Sequence, residues 1–203
     1  MKKLIILLLI LFTTTTISEA IIKGKKIKHK EQNKILMIIA HNNFRDEEYF
    51  VPKKIFTEKW YKVITASSSL KYAKGMLGGK VKPDILINDV KVKEYCAIVF
   101  VGGSGSTEYW NSKIAHKIAR EAVAQKKVLG AICLAPGTLA IAGVLKNRKA
   151  TVYVSAKRVL KEKGAIYIDK NVVVDDLIVT ANGPSAAKKF AKKILKLLKK
   201  NKK

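Results

Sequence analysis

The segment Val128–Pro136, VLGAICLAP, decides the fold more than any other stretch of this chain. Its apolar run Val128–Ile132 has the length of a buried strand. Cys133 follows directly, and the apolar residues after it recur at mostly helical spacing, with Pro136 in the first turn. The sequence therefore predicts a cysteine at a strand-to-helix turn. The free backbone N–H groups of the helix start favour the reactive thiolate over the thiol.

The elements around this turn predict the architecture. Strand-like apolar runs alternate with helical patterns, which is typical of a mostly parallel sheet covered by helices on both faces. Functional sites of such sheets lie at the carboxyl ends of the strands. His41, the pair Gly102–Gly103 and Cys133 all follow predicted strand ends, so we expect the site there.

Four motifs occur in order along the chain: an acidic turn before a proline, a strand ending in paired glycines, the cysteine turn with its helix, and a hairpin followed by a Gly-Pro turn and a helix. They are FRDEEYFVP (Phe44–Pro52), IVFVGGSGSTEYW (Ile98–Trp110), AICLAPGTLAIAGVLKNRKATVY (Ala131–Tyr153) and VVVDDLIVTANGPSAAKKFAKKIL (Val172–Leu195). With this order and spacing, the chain resembles the DJ-1/PfpI family of the class I glutamine amidotransferase-like superfamily over about residues 34–198. The resemblance implies an α/β fold, a flavodoxin-like three-layer α/β/α sandwich with a mostly parallel sheet and a nucleophile turn at Cys133.

The resemblance also implies the partners of the cysteine. Glu48, four residues before a proline, matches a buried and protonated glutamate that donates a hydrogen bond to the sulfur of Cys133. Gly102 and Gly103 allow the backbone to approach a ligand closely. The backbone N–H groups of Gly103 and Leu134 would form an oxyanion hole.

One residue departs from the family pattern. Protease-like members carry a histidine directly after the nucleophile, oriented by an acid, but Leu134 cannot accept a proton. Glu108 lies near the position of that acid, offset by one residue. Other members use a histidine from a later loop, and Tyr153 stands at that position. Tyrosine in general is a poor base near neutral pH, because its unperturbed pKa is ~10. His41 at the end of the first strand could reach the pocket and supply an imidazole.

The resemblance implies a cysteine-dependent enzyme that acts on small reactive carbonyls, in the manner of a glyoxalase or deglycase. The alternatives are a redox-sensing or chaperone-like protein with Cys133 oxidised to sulfinate beside Glu48, a scaffold that binds a small molecule without turnover, and a weak cysteine peptidase. No His/Cys/Asp/Glu cluster shows metal-ligand spacing, so the sequence predicts neither metal nor cofactor. The resemblance implies a small-molecule substrate and a homo-oligomer.

The composition is strongly basic. The 203 residues include 41 Lys+Arg against 15 Asp+Glu, a formal net charge of +26, which predicts attraction to anionic surfaces. The basic residues are mostly lysines spread along the chain, without an aromatic-interleaved patch, so specific nucleic-acid binding is not predicted. In the last predicted helix the lysines lie opposite an apolar stripe, which indicates a helix docked on the domain.

The N-terminus has the pattern of a secretory signal peptide. Lys2 and Lys3 precede the apolar run Leu4–Phe12, and Ser18 and Ala20 occupy A-x-A-like positions, so residues 1–20 are predicted to be removed after Ala20. Nine apolar residues are too few to span ~30 Å of hydrocarbon. Residues 21–33 are predicted to be a basic linker and 34–203 the domain, which is exported to the periplasm or the extracellular space if the peptide is cleaved.

The two cysteines are not predicted to form a disulfide. Cys96 precedes a strand and Cys133 ends one, so in a parallel sheet they lie at opposite ends, ~16 Å apart. A disulfide needs Cα atoms within ~7 Å. We expect Cys96 to lie in the core.

Overall fold

The computed structural model describes residues 33–201. The predicted signal peptide and residues 21–32 of the predicted linker lie outside the described residues. The described strands are β1 (Lys34–Ile38), β2 (Asn42–Phe44), β3 (Lys62–Ser67), β4 (Ala73–Gly75), β5 (Lys80–Val81), β6 (Ile85–Leu86), β7 (Ala97–Phe100), β8 (Val128–Ile132), β9 (Lys149–Ala150), β10 (Ile166–Tyr167), β11 (Val172–Asp175) and β12 (Ile178–Ala181). The α-helices are α1 (Asp46–Thr57), α2 (Lys113–Ala124), α3 (Pro136–Ile141), α4 (Lys157–Glu162) and α5 (Ala187–Lys200).

The central sheet has seven strands in the order β11-β12-β8-β7-β1-β3-β6. Neighbouring strands run parallel, except that β11 and β12 form an antiparallel hairpin. A parallel sheet covered on both faces buries its strands completely, which explains the continuous apolar sequences of β1 and β8. The sheet order brings the carboxyl ends of β1, β7 and β8 side by side.

Helices cover both faces of this sheet. On one face, Ile35 and Met37 of β1 share a core with α1 and α5, and on the other, Leu36 and Ile38 share a core with α2, α3 and α4. Alternate side chains of a strand point to opposite faces, so one strand supplies both cores. The predicted three-layer α/β/α sandwich is confirmed.

The last helix is docked as predicted. Phe190, Ile194 and Leu198 of α5 are buried, while its lysines are mostly exposed on the opposite face. In the described part of the chain, no helix combines the length and the apolar character needed to cross a membrane.

A small three-stranded sheet stands beside the main one. Its strands β4 and β5 form an antiparallel hairpin, and β4 pairs with β2 in front of α1. The carboxylate of Asp46 accepts hydrogen bonds from the backbone N–H groups of Leu77 and Gly79, both at 2.8 Å. This buried aspartate therefore joins the start of α1 to the hairpin turn.

One minor expectation needs correction. Cys96 is only half-buried, because it precedes β7 at the edge of the core, where its Sγ donates to the backbone carbonyl of Lys34 at 3.1 Å. No disulfide joins Cys96 and Cys133, as predicted.

Candidate active site

Cys133 occupies a strained position between β8 and α3. Its φ of 63° lies in the left-handed region, which costs a non-glycine residue about 1–3 kcal/mol and persists only where the surroundings enforce it. The Cys133 N–H donates to the Ala181 carbonyl and its own carbonyl accepts from the Tyr153 N–H, both at 2.9 Å. These two bonds hold the turn against the chain segments that flank it. Cys133 is buried, with 8% of the residue exposed.

Trp110 contacts the residues that follow Cys133 in this turn. The indole Nε1 of Trp110 donates to the Leu134 carbonyl at 3.2 Å, and the Gly137 N–H donates to the same oxygen at 3.0 Å. The Trp110 ring packs so closely on Gly137 that a Cβ there would be 2.7 Å from ring atoms. The nucleophile turn is therefore supported by a tryptophan from the loop after β7.

Glu48 lies against the sulfur, in the first turn of α1, and is completely buried. Its carboxyl group faces the Cys133 thiol and the Gly102 N–H, although neither oxygen makes a hydrogen bond of regular geometry within the described residues. A Cβ at Gly102 would overlap both the Glu48 carboxyl group and the Cys133 Cβ, so glycine is needed for this approach. The structure thus brings together residues that are 85 positions apart.

Burial raises the pKa of Glu48 to about 8, against smaller opposing effects of Cys133, Gly102 and Arg45. Removal of a carboxylate from water disfavours its charged form. The carboxyl group is therefore mostly protonated at neutral pH.

Burial and, secondarily, the Glu48 carboxylate raise the pKa of Cys133 to about 12. The backbone N–H groups of Gly103 and Leu134 act in the opposite direction, because they hydrogen-bond to the sulfur. The expectation that the helix start makes this thiol acidic is thus wrong in direction, since desolvation outweighs the N–H groups. The repulsion from Glu48 is absent while that carboxyl group is protonated.

A cavity of about 280 Å³ opens in front of the sulfur. It is lined by Arg45, Met76, Gly103, Ser104, Cys133, Leu134, Tyr153 and Pro184. Tyr153 therefore lies at the site, as the sequence predicts. Gly103, with a φ of 99°, lets its backbone pass so close to Asn43 and Arg45 that any Cβ would overlap them.

Three residues predicted for this pocket, His41, Gly102 and Glu108, are not among those that line it. Gly102 instead lies against the Glu48 carboxyl group and the Cys133 Cβ. Glu108 lines a separate cavity of about 280 Å³ and accepts a hydrogen bond from Ser68 Oγ at 3.0 Å, because the 3₁₀ turn Ser104–Tyr109 directs it toward the loop after β3. The backbone carbonyl of His41 accepts from the Lys74 N–H, which ties this residue to β4. The Nδ1 of His41 is buried without a hydrogen-bond partner among the described residues.

Sequence reasoning missed four cavity residues: Arg45, Met76, Ser104 and Pro184. Arg45 directly precedes the acidic turn of Glu48, so its proximity to the site was available from the sequence. Met76 was not, because it reaches the cavity only through the hairpin that Asp46 holds in place.

Comparison with known proteins gives the family of the chain. The model of the DJ-1/PfpI family matches residues 33–197. The chain belongs to the DJ-1/PfpI family. It is 33% identical over 168 residues to deglycase PfpI of Pyrococcus furiosus, covering 81% of this chain and 99% of the relative. It is 29% identical over 167 residues to the glutathione-independent glyoxalase DJR-1.2 of Caenorhabditis elegans, covering 82% and 89%.

The fold agrees with solved structures of the same family. The ThiJ/PfpI domain protein from Brachyspira murdochii superposes with a TM-score of 0.81 at 34% identity, over 83% of this chain and 97% of the other. The α/β sandwich and its mostly parallel sheet are therefore shared with this family member.

Proposed function

We propose that this protein is a cysteine-dependent enzyme that converts small α-oxoaldehydes to 2-hydroxy acids. The observation that carries the proposal is the Cys133 thiol at the floor of a cavity, between two backbone N–H groups and a protonated Glu48. The similarity to relatives named glyoxalase and deglycase supports the same substrate class.

The proposed reaction balances within one substrate molecule and one water. The sulfur of Cys133 bonds to the aldehyde carbon, and the thiol proton ends on the carbonyl oxygen, which forms a hemithioacetal. The hydrogen on that carbon then leaves as a proton and is delivered to the neighbouring keto carbon, while the hydroxyl proton of the hemithioacetal passes to the keto oxygen. The keto carbon thereby becomes the alcohol, and the first carbon becomes the carbonyl carbon of a thioester. The resulting thioester is hydrolysed by water, which releases the hydroxy acid and restores the thiol.

We assign the proton transfers to Glu48 and the stabilisation of the oxyanion to the N–H groups of Gly103 and Leu134. A carboxyl group with a pKa of about 8 can accept and donate protons near neutral pH. Developing negative charge on oxygen is stabilised by N–H groups that are already in place. Tyr153 lines the cavity, and Gly102 leaves room for the Glu48 carboxyl group beside Cys133.

Peptide hydrolysis is disfavoured in this proposal. An amine leaving group needs a general acid, which is typically worth ~10²–10⁴ in rate, and Leu134 replaces the histidine that would supply it. Aldehyde hydration has no amine to release.

The test is turnover of methylglyoxal to lactate and of a fluorogenic peptide, with Cys133→Ser and Cys96→Ser compared. We expect lactate formation in the parent and in Cys96→Ser, its loss in Cys133→Ser, and no peptide cleavage. Lactate formation that survives in Cys133→Ser would reject the proposal.

A redox role is the second candidate. The same N–H groups and carboxyl group would stabilise a sulfinate at Cys133. The absence of turnover, together with two added oxygens on Cys133 after mild peroxide that are lost in Glu48→Leu, would favour this candidate over the enzyme.

We further propose export and self-association, both of which rest on the sequence and the family resemblance. If residues 1–20 are a signal peptide, mass spectrometry of the protein from a secreting host will give an N-terminus at Ile21. An intact Met1 in the exported fraction would contradict cleavage. Light scattering of the same sample is expected to give a multiple of the mass of one chain.

A further inference from the structure

Arg45 is the charged side chain among the described residues that line the Cys133 cavity. It directly precedes α1, in an extended conformation, and its backbone N–H donates to the Gly102 carbonyl at 3.0 Å. The same glycine lies against the Glu48 carboxyl group. The backbone of Arg45 is thereby fixed at the edge of the cavity, three residues before Glu48, the buried partner of the sulfur.

The guanidinium group of Arg45 is oriented by Glu47, but only part of its hydrogen-bonding capacity is used. Its Nε and Nη2 donate to the Glu47 carboxylate at 2.8 and 3.1 Å, in a two-bond fork. Within residues 33–201 both side-chain hydrogen bonds of Arg45 go to Glu47, which leaves Nη1 for another acceptor. The two side chains are 28% and 40% exposed, so water screens this pair and an incoming anion can compete with Glu47.

The positive charge of Arg45 acts on the reactive groups. Attraction to the charged forms of Glu48 and Cys133 contributes to raising the pKa of Arg45, after the larger effect of the hydrogen bond to Glu47. The same attraction opposes the rise in the pKa of Glu48. An anionic group on a small ligand in this cavity would therefore be attracted to the guanidinium while its other end meets the sulfur.

We propose that Arg45 makes the site selective for carbonyl compounds that carry a carboxylate, with the carboxylate on the guanidinium group and the carbonyl carbon at Cys133. Planar guanidinium groups suit carboxylates better than other cationic side chains do. The nature of the reacting group rests on the proposed function, but the preference for an anion does not.

The first experiment needs no catalysis. The full chain is treated with an equimolar mixture of iodoacetate and iodoacetamide, a matched anionic and neutral pair. Mass spectrometry then gives the ratio of the iodoacetate adduct to the iodoacetamide adduct at Cys133. Slow alkylation of this buried thiol requires only a longer incubation. We expect this ratio to fall about fivefold in Arg45→Gln, as one partly screened charge implies, and to rise in Glu47→Gln, which removes the internal competitor.

Arg158→Gln is the matched control. Arg158 also pairs with a glutamate, Glu162, on the surface, so this variant loses the same charge away from the site. In Arg158→Gln the adduct ratio at Cys133 should equal that of the parent protein. The adduct ratio at Cys96 should equal that of the parent in all three variants. An equal ratio in Arg45→Gln and Arg158→Gln would overturn the proposal.

The second experiment compares kcat/KM for 4,5-dioxopentanoate and for its neutral amide. We expect the parent to prefer the acid and Arg45→Gln to lose about fivefold of that preference, mainly through KM. If neither compound is turned over, the proposed function fails while the adduct ratio still decides the role of Arg45. If both are turned over equally well by the parent and by Arg45→Gln, the proposed function stands and the selectivity is wrong.

Discussion

At the scale of single residues, desolvation dominates the chemistry of the Cys133–Glu48 pair. The turn supplies N–H groups that favour the thiolate, yet burial raises the pKa of both side chains. At neutral pH both the thiol and the carboxyl group are protonated, which suits addition of S–H across a carbonyl better than attack by a pre-formed thiolate. We expect two consequences of the ionisation of Glu48, one for the stability of the fold and one for the alkylation of Cys133.

Glu48 makes the stability of the fold depend on pH. Its pKa is about 8 in the folded protein against a usual 4.5, so between these values the folded state holds more protons than the unfolded state. The contribution of the protonated carboxyl group is complete below about pH 4.5 and is lost as the pH rises through 8, by up to about 1.4 kcal/mol per pH unit. Glu48→Gln should therefore gain stability relative to the parent over this window.

Urea unfolding at pH 5, 6, 7 and 8 measures this difference. Glu162→Gln, which removes an exposed carboxylate, is the control and should follow the parent. A constant difference between Glu48→Gln and the parent from pH 5 to 8 would show that Glu48 ionises normally.

Glu48 also controls the alkylation of Cys133 above its own pKa. Near pH 7 the carboxyl group is neutral, so Glu48→Gln and the parent should react with iodoacetamide at similar rates. Above pH 8 the Glu48 carboxylate opposes the thiolate, and at pH 9.5 the glutamine variant should react at least about fivefold faster. Equal alkylation rates of the parent and Glu48→Gln at both pH values would contradict an electrostatic coupling between Glu48 and Cys133. Alkylation of Cys96 provides the internal reference.

At the scale of elements, the nucleophile turn and the β4–β5 hairpin are each held by a side chain from another element. Trp110 supports the turn through the Leu134 carbonyl, and Asp46 supports the hairpin through two backbone N–H groups. Since Met76 of the hairpin lines the cavity, both contacts bear on the shape of the site.

Trp110→Phe should cost about 0.5–1.5 kcal/mol of unfolding free energy, because one hydrogen bond to Leu134 is lost while the Gly137 N–H still satisfies that carbonyl. Trp60→Phe is the control, since Trp60 is 89% exposed and its loss should change stability by less than about 0.5 kcal/mol. Chemical denaturation measures both. An equal effect of the two substitutions would mean that Trp110 does not support the turn.

Asp46→Asn should loosen the hairpin. Hydrogen bonds to a carboxylate are worth about 1.5–3 kcal/mol each, and the amide can replace only part of the two bonds to Leu77 and Gly79. Hydrogen exchange of these two amides should become faster, while that of β1 stays unchanged. Asp89→Asn, at an exposed position, serves as the control, and unchanged exchange at Gly79 in Asp46→Asn would contradict the anchoring role.

At the scale of the whole molecule, the sequence carries a net charge of +26. In the part of the chain that the structure describes, exposed lysines are spread over the surface rather than confined to α5. We therefore expect binding to anionic phosphatidylglycerol vesicles at low salt and release as ionic strength shortens the ~10 Å screening length of 0.1 M salt. Exchange of Lys188, Lys192 and Lys196 for Glu should weaken vesicle cosedimentation as much as exchange of Lys80, Lys82 and Lys91. A selective loss with the α5 set would instead indicate a specific basic face.

The sequence alone determined the local features. The length of the apolar run identified the strand before Cys133, and the helical periodicity of apolar residues identified the amphipathic face of α5. Four motifs in order identified the family, and with it the candidate site residues Glu48, Gly102 and Gly103. These features depend on neighbours within a few positions, where backbone geometry and the hydrophobic pattern act directly.

Only the tertiary structure decided the pKa of Cys133 and the residues that line the cavity. The pKa of Cys133 depends on how much water the packing of α1 and β8 excludes, which no local pattern encodes. Likewise, Met76 lines the cavity and Glu108 does not, because the hairpin and the 3₁₀ turn after β7 are placed by contacts with distant segments. Desolvation and close packing are properties of the folded chain, so they appear only when residues far apart in sequence become neighbours.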